Sequence, residues 1–216
     1  MNQRLAQSIF TTLLLAGVFA YAHPFPQAQE GAAANSASQE NVLRIAKKVQ
    51  SEILKLPQYG VFDDIHFGIK GGNTVILQGQ ASRPILKSSA ENVVKKIEGV
   101  KAVDNQIEVL PVSPNDDRIR AAVYYRIYRD PVLQKYTANR GGGARVGQSS
   151  VARTMGITND PPIGYHAIHI IVKNGNVALK GVVNNSGDLA IAEVRANSTP
   201  GVFSVVNDLF LATEEK

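Results

Sequence analysis

The chain has 216 residues, of which 44% are apolar and 19% are charged, a composition typical of a globular protein of one or two domains. The formal net charge of +5 is too small for a dedicated nucleic-acid binder, but it favours contact with anionic lipid headgroups or polymers. Cysteine is absent, which excludes disulfides and a lipid attached through an N-terminal cysteine.

The first 22 residues have the pattern of a cleaved secretory signal peptide. Arg4 lies in a short polar start, an apolar run spans residues 9–19, and Ala20-Tyr21-Ala22 supplies the small residues of a cleavage site. The run is too short to cross a bilayer comfortably. The alternatives are a retained anchor or a buried N-terminal helix. We expect export to the periplasm or the cell exterior with cleavage after Ala22, which leaves 22 Lys and Arg against 18 Asp and Glu, a net charge of +4.

The next segment, residues 23–39, is rich in Ala, Gln, Ser and Pro without an apolar period, so we expect a flexible leader. From Glu40, apolar residues recur at helical spacing until Pro57, which predicts a first helix. Its basic row is interpreted as a solvated face and consists of Arg44, Lys47, Lys48 and Lys55.

A hairpin, a second helix and a third strand follow this first helix. Apolar residues alternate on both sides of Gly71-Gly72-Asn73, which predicts the hairpin. The second helix has Pro84 in its first turn and ends at Gly99. The third strand contains alternating apolar residues, and Pro111 and Pro114 mark the boundary after it.

The same order of elements occurs twice, because residues 75–109 align with residues 177–211 without a gap. Two motifs carry the match: Val-x-Leu-x-Gly at the end of a strand, and Gly-Val-x-x-Val-x-Asn between a helix and a strand. The matched residues that we interpret as structural are Gly79, Gly99, Val103 and Asn105 in the first copy, and Gly181, Gly201, Val205 and Asn207 in the second. A bulge or a close backbone approach accounts for the glycine of the first motif. The end of a helix accounts for the glycine of the second motif.

In these two motifs the chain resembles the BON domain family, named for an osmotically induced periplasmic protein and for nodulation proteins. The resemblance implies an α+β fold of two αββαβ domains, over residues 40–112 and 115–212, each a small three-stranded mixed sheet with two helices on one face. It also implies a periplasmic or secreted location and a non-enzymatic role, often phospholipid binding at the membrane surface or support of the envelope under stress. Some members that resemble this tandem arrangement are lipoproteins, from which this chain departs because it has no cysteine.

The first helix of the second copy combines tyrosine with arginine. On a helical wheel, an aliphatic stripe lies on one side, while Tyr124, Tyr125 and Tyr128 lie together on another, flanked by Arg118 and Arg129. Tyrosine and arginine suit a lipid headgroup interface. The resemblance implies that this helix contacts lipid in related tandem proteins, so we expect the membrane patch here. The alternative is that the tyrosines pack against the other domain or the long loop.

Residues 137–162 interrupt the second copy with a basic, glycine-rich insertion. Arg140, Arg145 and Arg153 precede its first acidic residue, Asp160, and we expect the insertion to contact an anionic surface or partner. The alternative is a disordered insertion without a specific role. It is not a phosphate-binding P-loop, because the closing Gly-Lys-Ser/Thr is missing.

Catalytic and metal-binding motifs are weak. His166 and His169 are three residues apart, so in a strand they point to opposite faces and cannot share a metal ion. Ser149, Ser150 and Ser186 lack the sharp-turn motif of a nucleophile. We therefore expect no enzyme activity, no metal, no cofactor and no small-molecule substrate.

Two functions remain from the sequence. The first is an exported envelope protein that binds anionic phospholipid in envelope maintenance or stress protection. The alternative is a protein interaction module that docks another envelope component.

Overall fold

The computed structural model describes residues 29–137, 156–162 and 164–212, with side chains from residue 39 onward. The predicted signal peptide and the insertion residues Arg140, Arg145 and Arg153 lie outside the described residues.

The N-terminal half, defined as the described residues up to 112, has the predicted αββαβ order. Its elements are α1 (Gln29–Leu54), β1 (Asp64–Lys70), β2 (Thr74–Ala81), α2 (Pro84–Val94), β3 (Ala102–Asn105) and β4 (Glu108–Val109). Strand β2 lies in the middle of the sheet, antiparallel to β1 and parallel to β3 and β4. The predicted third strand is thus interrupted between Asn105 and Glu108.

The C-terminal half, defined as the described residues from 113 onward, repeats this arrangement. Its elements are α3 (Pro114–Tyr128), a 3-10 turn (Leu133–Tyr136), β5 (Ile168–Lys173), β6 (Asn176–Val183), α4 (Ser186–Asn197) and β7 (Ser204–Leu211). Strand β6 is antiparallel to β5 and parallel to β7. The predicted α+β fold with two mixed sheets is therefore confirmed.

Helix α1 begins before the predicted start at Glu40. The flexible leader predicted over residues 23–39 is wrong from Gln29 onward, since that part belongs to the helix. The reason is local composition, because the three consecutive alanines from Ala32 to Ala34 have the highest helix propensity of any residue. The apolar period that marks the buried face does not extend into this segment, so the sequence pattern alone predicts no helix there.

Helix α3 begins at a side-chain cap. The Ser113 side chain accepts a hydrogen bond from the Asp116 amide at 3.1 Å, and Pro114 occupies the first turn of α3. The Asp116 carboxylate, which is buried, accepts bonds from the amides of Asn174 and Gly175, both at 2.9 Å. The start of α3 is thereby fixed to the β5–β6 turn.

Each half buries its own apolar cluster between its helices and the inner face of its sheet. In the N-terminal half the cluster joins α1, α2 and the sheet, and its fully buried members include Ile45, Val49, Val75, Leu77, Leu86, Ala90 and Val94. In the C-terminal half the members include Ile119, Val123, Ile127, Ile168, Ile170, Leu179, Ala192 and Ala196. The predicted aliphatic stripe of α3 is thus in the core.

The two halves are joined by the loop between α1 and β1. Val61 and Phe62 belong to the N-terminal half in sequence, but they are 0% and 1% exposed inside the C-terminal cluster. The Ile170 amide donates to the Val61 carbonyl at 2.7 Å, so the loop covers the free edge of β5. Ion pairs join Lys173 to Glu108 at 2.5 Å and Lys180 to Asp64 at 3.9 Å.

A buried carboxylate shapes this loop. Asp63 accepts hydrogen bonds from the Ser82 amide at 2.6 Å, the Ser82 hydroxyl at 2.7 Å and the Gly60 amide at 3.0 Å. Burial raises the pKa of Asp63, partly offset by these hydrogen bonds. Asp63 thus fixes the two residues that precede it, Val61 and Phe62, in the orientation that enters the other half.

Candidate functional site

The glycines two residues before the ends of β2 and β6 have the same geometry in both halves. Gly79 and Gly181 have φ angles of +112° and +118°. A Cβ atom on Gly79 would lie 2.1 Å from the Asp64 carbonyl oxygen, and one on Gly181 would lie 2.0 Å from the Ala167 carbonyl oxygen. Both the backbone angle and the close approach require glycine.

The shared asparagines connect a strand to a helix. Asn105 donates to the Lys87 carbonyl at 3.0 Å and to Glu91 at 2.9 Å. Asn207 donates to the Leu189 carbonyl at 3.1 Å and to Glu193 at 3.0 Å. The side-chain oxygen of each also accepts a bond from the amide two residues later. Both asparagine side chains are therefore used in hydrogen bonds within the protein.

The remaining structural candidates lie close to these asparagines. Gly99 and Gly201 have φ angles of +93° and +88° between the second helix and the third strand of each half. Val103 and Val205 are half-buried and pack against the core of their own half.

Tyr124 and Tyr128 do not lie on the surface with Tyr125. They are only 4% and 7% exposed, so the expectation of three tyrosines at a headgroup interface is wrong for these two. Tyr124 packs edge to face against Phe62 of the N-terminal half, with ring centroids 6.3 Å apart. The physical reason is that Val61 and Phe62 extend the C-terminal core around the side of α3. The alternative of packing against the other half therefore describes Tyr124.

The hydroxyl groups of these two tyrosines are satisfied inside the core. Tyr128 donates to the Ile168 carbonyl at 2.5 Å and accepts from the Ile168 amide at 3.1 Å. Tyr124 and His166 approach to 3.1 Å between the hydroxyl and Nε2. Desolvation raises the pKa of Tyr124 to about 12, and it raises the pKa of Tyr128 well above the usual value of a tyrosine. Both hydroxyls are therefore neutral hydrogen-bonding groups with no acid–base role near neutral pH.

His166 and His169 serve separate contacts. The Nδ1 atom of His166 lies 2.9 Å from the Gly164 carbonyl, which can only accept, so Nδ1 carries the proton and Nε2 accepts from Tyr124. Burial lowers the pKa of His166 to about 4. His169 approaches the Gly60 carbonyl at 3.2 Å, and burial lowers its pKa too. Within the described part of the chain, no group of three or more His, Asp or Glu is placed to hold a metal ion.

The exposed side of α3 carries arginine instead. Arg118, Arg126 and Arg129 are exposed, and Tyr125 is half-buried among them. The Arg129 guanidinium lies 4.4 Å from the centroid of the Tyr125 ring, a cation–π contact. None of the three arginines forms a salt bridge to the residues that the structure describes. We call Arg118, Tyr125, Arg126 and Arg129 the arginine face.

Arg126 was missing from the sequence prediction. Its guanidinium donates to the Ser198 hydroxyl at 3.0 Å, next to the end of α4. It lies one turn before Arg129, so helical spacing was the available signal. The sequence prediction places the membrane patch by the positions of the tyrosines instead.

The basic row of α1 differs because two carboxylates offset part of its charge. Lys48 and Lys55 both pair with Glu52, at 3.2 and 3.3 Å, and Arg44 approaches Glu98 at 3.8 Å. The basic row thus matches the predicted solvated face with carboxylate partners, whereas the arginine face has no carboxylate partner among the described residues.

No helix among the described residues is long and apolar enough to cross a membrane.

Comparisons with known proteins identify the family but no individual relative. No curated protein matches the chain. Two solved structures of CdsD, a structural protein of the type III secretion system of Chlamydia trachomatis, are similar to it. One, the C-terminal domain, is 14% identical, with 77% of this chain and 96% of that chain covered and a TM-score of 0.24. The other is 16% identical, with 78% and 93% covered and a TM-score of 0.23.

The family model matches both copies of the repeat, at residues 41–111 and 151–212. The second match begins after α3, so the insertion separates α3 from the rest of its copy. Together the two matches span more than half of the chain, and the chain belongs to the BON domain family.

Proposed function

We propose that this protein is a non-enzymatic, exported envelope protein that binds anionic phospholipid through the arginine face of α3. The observation that carries the proposal is the exposure of Arg118, Arg126 and Arg129 without a carboxylate partner among the described residues. The BON family is known for association with membranes and phospholipid. Envelope maintenance or protection under stress is the corresponding physiological role.

The chemistry of the face suits a phosphate surface. A guanidinium forms paired hydrogen bonds to phosphate oxygens, and each basic residue near an anionic membrane contributes about 1 kcal/mol of binding free energy. Tyr125 adds a half-buried ring whose face is already in contact with Arg129. Because the attraction is electrostatic, binding must weaken as salt screens it.

Co-sedimentation with vesicles tests the proposal. The mature chain is expected to sediment with vesicles that contain phosphatidylglycerol at low salt, to remain in solution with phosphatidylcholine alone, and to be released by salt. Tyr125→Ala with Arg129→Ala is expected to weaken binding, whereas Lys47→Ala with Lys48→Ala on α1 retains it.

Two results would overturn the proposal: failure of anionic vesicles to sediment the wild-type chain at low salt, or no effect of the Tyr125 and Arg129 double variant. Either result would favour the alternative function, in which the chain docks another protein of the envelope.

A further inference from the structure

The two copies of the repeat differ in charge on the outer face of the third strand. In the C-terminal half, Val206 and Phe210 on this face of β7 are 53% and 71% exposed, and Phe203, just before the strand, is 85% exposed. The aligned residues of the N-terminal half are Lys101, Asp104 and Glu108. An exposed apolar row thus replaces a charged row on the same backbone. Exposed apolar patches of this kind mark interaction sites in soluble proteins.

Strand β7 is also an unprotected edge. Among the described residues it pairs only with β6, so alternate residues along its other edge present backbone groups without a strand partner, although the Leu209 amide donates to the Asn207 side chain at 3.4 Å. It contains neither proline nor lysine. In the N-terminal half, the equivalent edge is interrupted between β3 and β4 and carries two carboxylates. Such interruptions and charges prevent edge-to-edge pairing, and β7 lacks the interruption.

The charges near β7 favour a strand as the occupant over a membrane. Asp208 lies on the same face between Val206 and Phe210, where its carboxylate cancels the attraction that Lys180 would otherwise have for an anionic lipid surface. Lys180 on β6 lies 3.2 Å from Asp208 and neutralises it. The edge therefore presents no net charge to a second neutral, apolar strand, and every copy of the chain carries such a strand.

We propose that β7 pairs in antiparallel fashion with β7 of a second copy of this chain, so that the two C-terminal sheets form one continuous sheet. Pairing about a two-fold axis would give the backbone groups of both free β7 edges hydrogen-bond partners at once and would limit the assembly to a dimer. With the axis at Val206, the two valines are neighbours and the Asp208 side chains do not face each other. Helices α3 and α4 cover the opposite face of the sheet, so the arginine face stays accessible.

Sedimentation velocity of the whole mature chain, from low micromolar to near-millimolar concentration, tests the proposal. The wild type is expected to shift from monomer to dimer. Val206→Asp and Phe210→Glu restore the residue types of the first copy, and each should weaken the dimer about tenfold or more, because a charge would lie unpaired in the interface. The matched control is Val194→Asp, at a 62% exposed valine of α4, and it should dimerise as the wild type does.

A single introduced cysteine provides a second readout, because the chain has none of its own. Under oxidation, Val206→Cys is expected to form a disulfide-linked dimer much faster than Val194→Cys. Circular dichroism confirms that each variant is folded. The proposal is overturned if the wild type remains a monomer throughout the concentration range, if Val206→Asp dimerises like the wild type, or if the two cysteine variants cross-link at equal rates.

Discussion

Phe62 and Tyr124 meet edge to face across the boundary between the two halves, with ring centroids 6.3 Å apart and an interplanar angle of 65°. Phe62 is 1% exposed and lies in the core of the half to which it does not belong in sequence. The C-terminal core is therefore completed by the N-terminal half, and the stability of one half depends on the other.

We expect Phe62→Ala to lower the free energy of unfolding by about 3–5 kcal/mol, the usual cost of removing a buried phenylalanine. Both halves should lose stability together, because the cavity opens at their junction. Urea unfolding followed by far-UV circular dichroism measures this. Phe203→Ala, at a side chain that is 85% exposed, is the control and should change the free energy by less than about 0.5 kcal/mol.

The positive-φ glycines of β2 and β6, Gly79 and Gly181, allow a sharper prediction. Gly79→Ala or Gly181→Ala should each destabilise the chain by more than about 3 kcal/mol, because the new Cβ would overlap a carbonyl oxygen and the φ angle is positive. Gly68→Ala on β1 is the matched control, with no atom within 4 Å of its Cβ position. Thermal unfolding compares the three variants. Equal losses at Gly68 and Gly79 would contradict the structural interpretation.

Acid should weaken the fold through His166. Its pKa is about 4 in the folded chain against an ordinary 6.5, so the unfolded chain binds the proton more readily between these values. The free energy of unfolding should not depend on this group above pH 6.5, and should fall by about 2–3 kcal/mol as the pH decreases toward 4. The lowered pKa of His169 acts in the same direction.

Denaturant unfolding from pH 7.5 to pH 4 measures this dependence. His166→Gln cannot take up the proton, so its stability should fall less steeply over the same pH range, whatever its stability at neutral pH. Parallel curves for the variant and the wild type would show that His166 is not the titrating group.

The repeat, the order of elements and the two sheets could be predicted from the sequence, because they depend on local patterns. Gly79 and Asn105 are determined by backbone geometry within one copy, and that geometry recurs at Gly181 and Asn207. These positions therefore hold the same amino acid in both copies of the motif.

The burial of Tyr124 and Tyr128 could not be predicted in this way. A helical wheel gives the direction of a side chain. The width of the buried face depends on which residues from other elements pack against the helix. For Tyr124 the packing residue is Phe62, far away in sequence and contributed by the other half, whereas Tyr128 packs against His166. The break after Asn105 was also missed, because Ile107 and Val109 keep the apolar alternation of a continuous strand.

The most direct test of the membrane proposal is the partition coefficient of the chain on phosphatidylglycerol-containing vesicles at low salt. We predict that Arg118→Ala, Arg126→Ala and Arg129→Ala combined lower it about 100-fold, because three basic residues contribute about 3 kcal/mol at an anionic surface. Lys47→Ala, Lys48→Ala and Lys55→Ala combined remove the same charge from α1 and should lower it only a few-fold. Equal decreases in the two triple variants would contradict a specific role for the arginine face.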